Sequence, residues 1–515
     1  MFARAPRPAV WPFWVLMIFW LCLPGRGVFG QDTIQFIGTG TSGAQRVTNA
    51  GSAVDFNLNT FATVNARRGL CGILVSTGSG SLSLNTQVIN ANQVAYMRIG
   101  GVDGELSNLT GGSLVGGLLG LLGNVLFAGV ELDFTVFSPD NTQSFLGGTG
   151  NNLGGNVNRM RVVVNGNNQF HLAVAPNFNY NRIRSRLDIN TGLLSGLLDC
   201  PSVDLNIFEA FRFTGLGLST IANFTSFDGG GLTVIGSTRV NNIHQAIDNN
   251  LSTFSSFPRD LLGLGLGQFI EQSFEWGLPA AENDLLRITF SNSGGLLNLQ
   301  LLNSLELVTY FNGAETSRNS IGNLLSVRLL NLGGNLGLVA ANLGVPFDRV
   351  AVRASSLLNL GLLDGDLRIH DVRLDRAFIW TGNLSTDWFT DGNWSTGIVP
   401  FSNSRIIIPQ RPNQPTIPAD STFTLSSIGE LIMGTPENPN AILTVEGGLV
   451  LEGNQIAVTQ DADSFIRIAP GANYQNLSTE NPRLEVQQRI QGTAAGGWSV
   501  CRSQVPAMQL LPIIW

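Results

Sequence analysis

Histidines and paired carboxylates are the residues with which this chain would do nucleophilic or acid–base chemistry. His171, His244 and His370 are its three histidines, and none lies near another histidine, a cysteine or a Gly-x-Ser-x-Gly turn. A Ser-His-Asp site can still assemble from distant segments, but we expect surface or strand histidines. Glu131 and Asp133 alternate along a predicted strand and would share one face, as glycosidase carboxylates do. Such pairs are common in β-proteins and no catalytic-sized domain remains beside the repeats below, so we predict no catalytic residue and no enzyme.

The charged residues argue against certain kinds of chemistry and of partner. All 29 basic residues are arginine, so a lysine Schiff base or a lysine-dependent nucleotide loop is excluded. The net charge is −7 and the acids are scattered. Because nucleic-acid binding needs a basic surface that neutralises phosphates, we expect no nucleic-acid partner.

The first 30 residues are typical of a secretory signal. Arg4 and Arg7 precede an apolar run over 10–23, and residues 28–30 offer a cleavage site before Gln31. The run is shorter than the roughly 20 residues that a membrane-spanning helix needs. We therefore expect a secreted or outer-surface protein whose mature chain has no membrane span.

Three cysteines remain after the signal. In an oxidising compartment Cys71 and Cys200 would form a disulfide, and the alternative is two buried free thiols. No cysteine or histidine has the spacing of a metal-ligand pair, so we expect no cysteine–histidine metal site.

The chain contains a duplicated module. Residues 53–63 match residues 246–256 at six of eleven positions. Two further pairs follow in the same order, 180–186 with 347–353 and 204–209 with 366–371. Three matched segments in one order indicate two ancestral copies of a single unit.

Each copy is predicted to consist of short strands. Segments such as 161–164, 286–290 and 349–353 are rich in β-branched residues or alternate with period two, and Gly, Asn and Asp separate them. This spacing predicts an all-β protein with antiparallel sandwich or jelly-roll domains. The uncharged stretch 106–130 could be taken for a membrane helix, but its equivalent near 294–303 interleaves polar residues, which favours a core hairpin.

The matched motifs resemble those of discoidin-like, galactose-binding-like jelly rolls. Both copies open with A-[VI]-D-x-N-x-x-T-F, and the second ends with F-D-R-V-x-V-R and L-x-I-x-D-V. Phe56 and Asn249 stand where that family usually has Gly, and Phe61 and Phe254 where it usually has Trp. The resemblance implies jelly-roll domains that bind a glycan or another cell-surface ligand.

The same resemblance implies a structural calcium ion in the opening loop of each copy, since calcium takes carboxylate and other hard oxygen ligands. The alternative is an Asx-turn, in which the aspartate caps its own loop without metal. No other cofactor is expected. The oxygen donors at matching positions are Asp55, Asn57 and Thr60 in the first copy, and Asp248, Asn250 and Thr253 in the second.

A third region begins near Trp380 and looks like a module of large secreted surface proteins of Bacteroidetes. Its short apolar segments between Gly-containing turns predict rungs of a β-solenoid. The residue pattern of the last segment differs from that of the preceding modules. This indicates either a truncated or frame-shifted terminus or a genuine short tail. The predicted units are 1–30 (signal), 31–214 (first copy), 215–237 (linker), 238–377 (second copy), 378–490 (Trp-rich solenoid-like module) and 491–515 (atypical tail).

Together these patterns predict a non-catalytic, adhesion-like surface protein that binds carbohydrate through its jelly rolls. One alternative is a structural spacer in a longer stalk. Another is a set of accessory modules from a polysaccharide-degrading enzyme. Tyr180, Tyr310, Trp388 and Trp394 are aromatic candidates for a sugar site, but their strand-like surroundings favour core packing.

Overall fold

The structure is a computed structural model of the chain. Cys71, Cys200 and residues 106–129 lie outside its described part, so the disulfide and the core hairpin stay predictions, as do the signal and most of the tail. Within the described part, no helix has the length and apolar character needed to cross a membrane. The described residues are 33–67, 78–101, 130–148, 158–189, 202–215, 217, 221–230, 240–257, 269–292, 305–323, 328–333, 336–355, 366–426, 429–452, 457–488 and 499–501.

Strands dominate the described residues, and the helical elements among them are single 3-10 turns, so the predicted all-β class is confirmed. The 3-10 turns are Ala50–Ala53, Ile243–Ala246, Ile321–Asn323 and Asp391–Asn393. The strands of the first sandwich are β1 (Thr33–Phe36), β2 (Gly38–Gln45), β3 (Val47–Thr48), β4 (Ala62–Arg67), β5 (Gly78–Ile89), β6 (Ala95–Gly100), β7 (Val130–Phe137), β8 (Ser144–Gly148), β9 (Met160–Val164), β10 (Phe170–Val174), β11 (Tyr180–Ile189) and β12 (Ser202–Thr214).

The second sandwich follows directly. Its strands are β13 (Phe224–Gly230), β14 (Ser255–Phe257), β15 (Phe269–Ala280), β16 (Leu285–Asn292), β17 (Leu305–Phe311), β18 (Ala314–Ser320), β19 (Arg328–Gly333), β20 (Leu336–Asn342), β21 (Phe347–Ser355) and β22 (Leu367–Asp375).

The two copies share one strand topology. In the first, the sheet β2-β5-β11-β7-β8 faces β4-β12-β6-β10-β9; in the second, β13-β15-β21-β17-β18 faces β14-β22-β16-β20-β19. Position by position the orders correspond, and the matched segments of the sequence fall on equivalent strands. All of these pairings are antiparallel, which gives two tandem jelly-roll sandwiches. The duplication is therefore evident in the structure as well as in the sequence.

The segment 215–237, expected to be a linker, contains the first strand of the second copy. Strand β13 pairs with β15 over seven residues and occupies the place that β2 has in the first copy. Its sequence has too little β-branched or alternating character to mark a strand, and its pairing with β15 supplies the stability instead. The second sandwich therefore begins upstream of residue 238.

The sandwiches are joined edge to edge. Thr225 of β13 pairs with Val164 of β9, so strands of both copies form one 12-stranded sheet. Beside this seam the Tyr96 and Phe224 rings stack with their centroids 4.4 Å apart. Buried apolar residues of both copies belong to one contiguous core. The joint is a packed interface and not a flexible tether.

The third region is the predicted β-solenoid. The strands are β23 (Ala377–Ile379), β24 (Arg405–Ile408), β25 (Thr416–Ile417), β26 (Thr422–Leu425), β27 (Glu430–Met433), β28 (Ile442–Val445), β29 (Gly448–Leu451), β30 (Ala457–Gln460), β31 (Phe465–Ile468), β32 (Asn473–Asn476), β33 (Leu484–Gln488) and β34 (Ser499–Cys501). Three parallel sheets, β23-β24-β27-β30, β25-β28-β31-β33 and β26-β29-β32, stack successive rungs, and β34 pairs with the end of the second sheet in antiparallel fashion. Buried side chains alternate with partly exposed ones along strands such as β28 and β31.

Candidate functional site

The opening loops of the two copies have the same hydrogen-bond geometry. In the first, Asp55 Oδ1 accepts from the Asn57 amide at 3.2 Å, and both carboxylate oxygens lie 2.7–2.8 Å from Thr60 Oγ1. In the second, Asp248 Oδ1 accepts from the Asn250 amide at 2.9 Å, and both of its oxygens lie 2.7–2.9 Å from the Thr253 hydroxyl. These are Asx-turns, the alternative to calcium that the sequence left open.

A buried acid from the last strand of each copy lies against the loop, and the sequence did not single it out. Glu209 of β12 accepts backbone hydrogen bonds from Gly38 at 3.2 Å and from Phe56 at 3.0 Å. Burial raises the pKa of this carboxyl, and the nearby charge of Asp55 also raises it. Asp371 is the equivalent in β22, where burial likewise raises its pKa and Asp248 adds to the rise. The third matched segment of the repeat thus packs on the first.

The fit of calcium differs between the two loops. Both oxygens of Glu209 are engaged by backbone amides, so the first loop is satisfied without metal. In the second, Asp371 Oδ1 is buried and has no hydrogen-bond partner among the described residues, while Arg373 Nε binds only the other oxygen. An orphaned buried carboxylate oxygen beside Asp248 fits a cation. Asp371, Asp248 and Thr253 would hold it, with a structural role, and its presence stays a prediction.

The first loop exposes aromatic rings. Phe56 is 65% solvent-exposed and has φ 61°, in the left-handed region that a bulky residue rarely adopts. Its ring meets Phe36 edge to face with centroids 6.0 Å apart. Phe61 is 39% exposed, and its ring centroid lies 5.2 Å from that of Phe208. We call the rings of Phe56 and Phe61 the Phe56 face.

Polar groups border the Phe56 face. The Arg98 guanidinium stacks over the Phe208 ring at 4.1 Å and donates to the Leu58 carbonyl at 2.8 Å. The Asn57 and Asn59 side chains lie exposed on the same loop. An apolar platform edged by amides and a guanidinium suits a ligand that has one apolar face and polar rims.

The second loop lacks this platform. Asn249 takes the place of Phe56, with φ 63°, and its Oδ1 accepts from Arg373 at 2.9 Å. Phe254 is half-buried beneath the Arg368 guanidinium, 4.2 Å from its ring. The copies therefore share a loop geometry but differ in the surface they present.

The aromatic residues that sequence reasoning considered for a sugar site are buried, so the core-packing interpretation is confirmed. Tyr180 is fully enclosed, and Tyr310 donates to Glu271 at 3.0 Å. Trp388 and Trp394 pack edge to face at 4.8 Å beneath the first solenoid rung. A further signal was available in the sequence: a large apolar residue at position 56, where the resembled family has Gly, cannot be explained by packing in a tight turn.

The histidines form no catalytic arrangement among the described residues. His171 is buried, which lowers its pKa to about 3. His370 Nε2 lies 2.7 Å from Ser291 Oγ, a pair that the sequence did not show, but Nδ1 faces the Leu251 carbonyl and no carboxylate. His244 is half-buried, and the side chain of Glu131 is outside the described part. No cluster of three or more His, Cys, Asp or Glu suited to a metal occurs in the described ranges.

No protein-family model and no curated protein matches the chain. Among solved structures it is similar to the CBM32-1 and CBM32-2 domains of Clostridium perfringens ZmpB, at 8% identity and TM-score 0.19, covering 67% of this chain and 99% of that one. It is also similar to the CBM32-2 domain of GH31 bound to GalNAc, at 19% identity and TM-score 0.18, covering 29% and 97%. A further similar structure is the CupB6 tip adhesin of Pseudomonas aeruginosa, at 10% identity and TM-score 0.13, covering 66% of this chain and 97% of that one. Superpositions this poor assign no ligand to this chain.

Proposed function

We propose that the protein is an exported, non-catalytic surface protein whose first jelly roll binds carbohydrate through the Phe56 face. The observation that carries this proposal is a Phe ring left mostly in solvent on a loop whose backbone is fixed from below by Glu209. Holding a bulky residue at positive φ costs of order 1–3 kcal/mol. A ring that is 65% exposed and has one edge-to-face contact, with Phe36, offsets little of that cost by packing, which supports a role in contact with a partner.

The chemistry of the loop supports a sugar as that partner. A pyranose has an apolar face of C–H groups and a rim of hydroxyls, so it pairs with an aromatic ring flanked by hydrogen-bonding side chains. Asn57 and Asn59 supply such side chains beside Phe56. The two copies then have different tasks: the first binds, and the second supports it.

A second candidate function is a rigid spacer within a surface stalk. It is favoured by the continuous 12-stranded sheet that joins the two sandwiches and by the solenoid that follows them. Both features transmit a fixed geometry along the chain. A spacer needs no ligand, so this function would leave the exposure of the Phe56 face unexplained.

A glycan array probed with the whole chain separates the two candidates. Carbohydrate binding predicts signal on a related set of glycans that free ligand competes away. A spacer predicts no signal on any glycan. Incubation with polysaccharides, followed by analysis of reducing ends, tests the non-catalytic part: released ends would overturn it.

A further inference from the structure

A cavity lined by five charged side chains lies at the seam between the two sandwiches. Its volume is about 30 Å³, room for one or two particles of the size of a water molecule and too little for a sugar ring. Half-buried Asn158, Arg159 and Gly313 line it together with buried residues of both copies. Neither sandwich forms this cavity alone.

The lining carries a net positive charge. Three guanidinium groups, from Arg159, Arg161 and Arg349, face two carboxylates, from Glu275 and Asp348. Arg161 Nε lies 3.3 Å from Glu275 Oε1. Arg353 and Glu271 form a separate ion pair, with Nη2 and Oε2 2.6 Å apart, and their charges cancel. With both lining carboxylates ionised, one positive charge is left without an anion.

Several of these groups already have partners. Arg159 donates to Asn92 at 2.7 Å, and Arg349 donates to Asn158 at 2.6 Å. Asp348 accepts from the Asn312 amide at 2.7 Å. These contacts fix the walls of the cavity and leave Arg161 and Trp276 as the residues with spare donors.

Three buried N–H donors of the lining have no hydrogen-bond acceptor among the described residues. One of them, Arg161 Nε, is ion-paired with Glu275 Oε1 at 3.3 Å, an oxygen that itself accepts no hydrogen bond among those residues. The other two are Arg161 Nη1 and the indole Nε1 of Trp276, in residues that are 5% and 2% exposed. Leaving a buried donor unpaired costs about 1–3 kcal/mol, and more when the group is charged. A ligand that accepts hydrogen bonds and carries negative charge would satisfy both donors and the unbalanced charge.

We propose that this seam cavity binds a small monovalent anion of halide size, held by Arg161 and Trp276. The anion bridges the first sandwich, which supplies Arg161, and the second, which supplies Trp276. Its binding therefore stabilises the joint between the copies. This site is independent of the Phe56 face and of the proposed carbohydrate ligand.

Sodium chloride or bromide, exchanged for sodium gluconate at constant ionic strength, tests the site on the whole chain. Because a ligand that binds only the folded state stabilises it, we expect the melting temperature to rise with halide and to saturate. Crystals grown in sodium bromide should show an anomalous peak in the cavity. Equal melting temperatures in halide and gluconate, or a cavity that holds only water, would overturn the proposal.

Matched variants locate the effect. Trp276→Phe removes the indole donor and keeps an aromatic ring, and it should weaken halide binding about tenfold. Trp388→Phe is the control, because its indole N–H is also buried without a partner, but in the third module; its halide response should equal that of wild type. Asp348→Asn removes a lining anion and should tighten halide binding. A halide response that is unchanged in Trp276→Phe and Asp348→Asn would place the ion elsewhere.

Discussion

Glu209 Oε2 accepts a hydrogen bond of 3.0 Å from the backbone amide of Phe56. The contact joins residues 153 positions apart, from the last strand of the first sandwich to its opening loop. Glu209 is fully buried, whereas the ring of Phe56 is exposed. A buried carboxylate therefore anchors the backbone of the loop that presents the aromatic surface.

Glu209→Gln should destabilise the protein by about 1–3 kcal/mol, because an amide side chain has a single oxygen to offer the two backbone donors of Gly38 and Phe56. Urea unfolding followed by tryptophan fluorescence measures the loss. Glu452→Gln changes the same group at an exposed site and should leave stability unchanged. Equal midpoints for both variants would show that Glu209 does not anchor the loop.

Arg353→Met should cost about 3–5 kcal/mol, because it leaves the buried Glu271 carboxylate without its ion-pair partner inside the sheet. The hydrogen bond of 3.0 Å that Arg353 donates to Tyr310 is lost as well, whereas the one of 3.0 Å that Tyr310 donates to Glu271 remains. Adding Glu271→Leu should recover part of the loss, since the stranded charge is then removed. A cost below about 1 kcal/mol would mean that solvent screens the pair.

Asp348 should make the free energy of unfolding depend on pH. Burial raises its pKa to about 6, above the roughly 3.9 of an unfolded aspartate. The folded state therefore binds more protons between about pH 4 and pH 6, and its free energy of unfolding falls as pH rises through that window. Asp348→Asn cannot ionise, so it should stabilise the protein by about 2 kcal/mol at pH 7.5 and have little effect at pH 4.

Thermal melts at both pH values measure this effect. Asp463→Asn, at an exposed turn, serves as the control and should leave the melting temperature unchanged. A gain for Asp348→Asn of the same size at pH 4 would contradict the assignment, because it would not depend on ionisation.

Calcium should act on the second loop and not on the first. Chelator should lower the melting temperature of wild type, and the difference should vanish in Asp371→Asn, which removes the charge of the orphaned carboxylate. Asp55→Asn should retain the calcium response, since its loop is satisfied without metal. An unchanged wild-type midpoint with and without chelator would remove the metal from both loops.

The sequence predicted those features of the fold that depend on local residue patterns. Matched segments revealed the duplication, and strands such as β11, with alternating burial, carry a clear period of two. The rungs of the solenoid were visible for the same reason. The strand β13 was missed, because its place in the sheet depends on pairing with β15 some 40 residues later and not on its own composition.

The buried charges could not be predicted from pattern. Arg349 and Arg353 alternate with apolar residues along β21, which is typical of a half-exposed strand, yet both are buried. Their burial depends on acids and aromatic rings contributed by β15 and β17. The exposed Phe56 was missed for the opposite reason, because an apolar residue is normally assigned to the core.

Phe56→Asn is the most direct test of the proposed function. It places at position 56 the residue that the second copy has at the equivalent position, and Asn tolerates the positive φ, so the fold and stability should be retained. Leu384→Asn is the matched control, an exposed apolar residue of the solenoid that is 69% exposed. Its glycan binding should equal that of wild type.

The deciding measurement is the affinity of the whole chain for a glycan found on the array, by isothermal titration calorimetry. Loss of an aromatic platform should weaken binding by about 1–3 kcal/mol, or roughly fivefold to 150-fold, in Phe56→Asn alone. Unchanged affinity in a folded Phe56→Asn variant would contradict the assignment of the Phe56 face as the carbohydrate site.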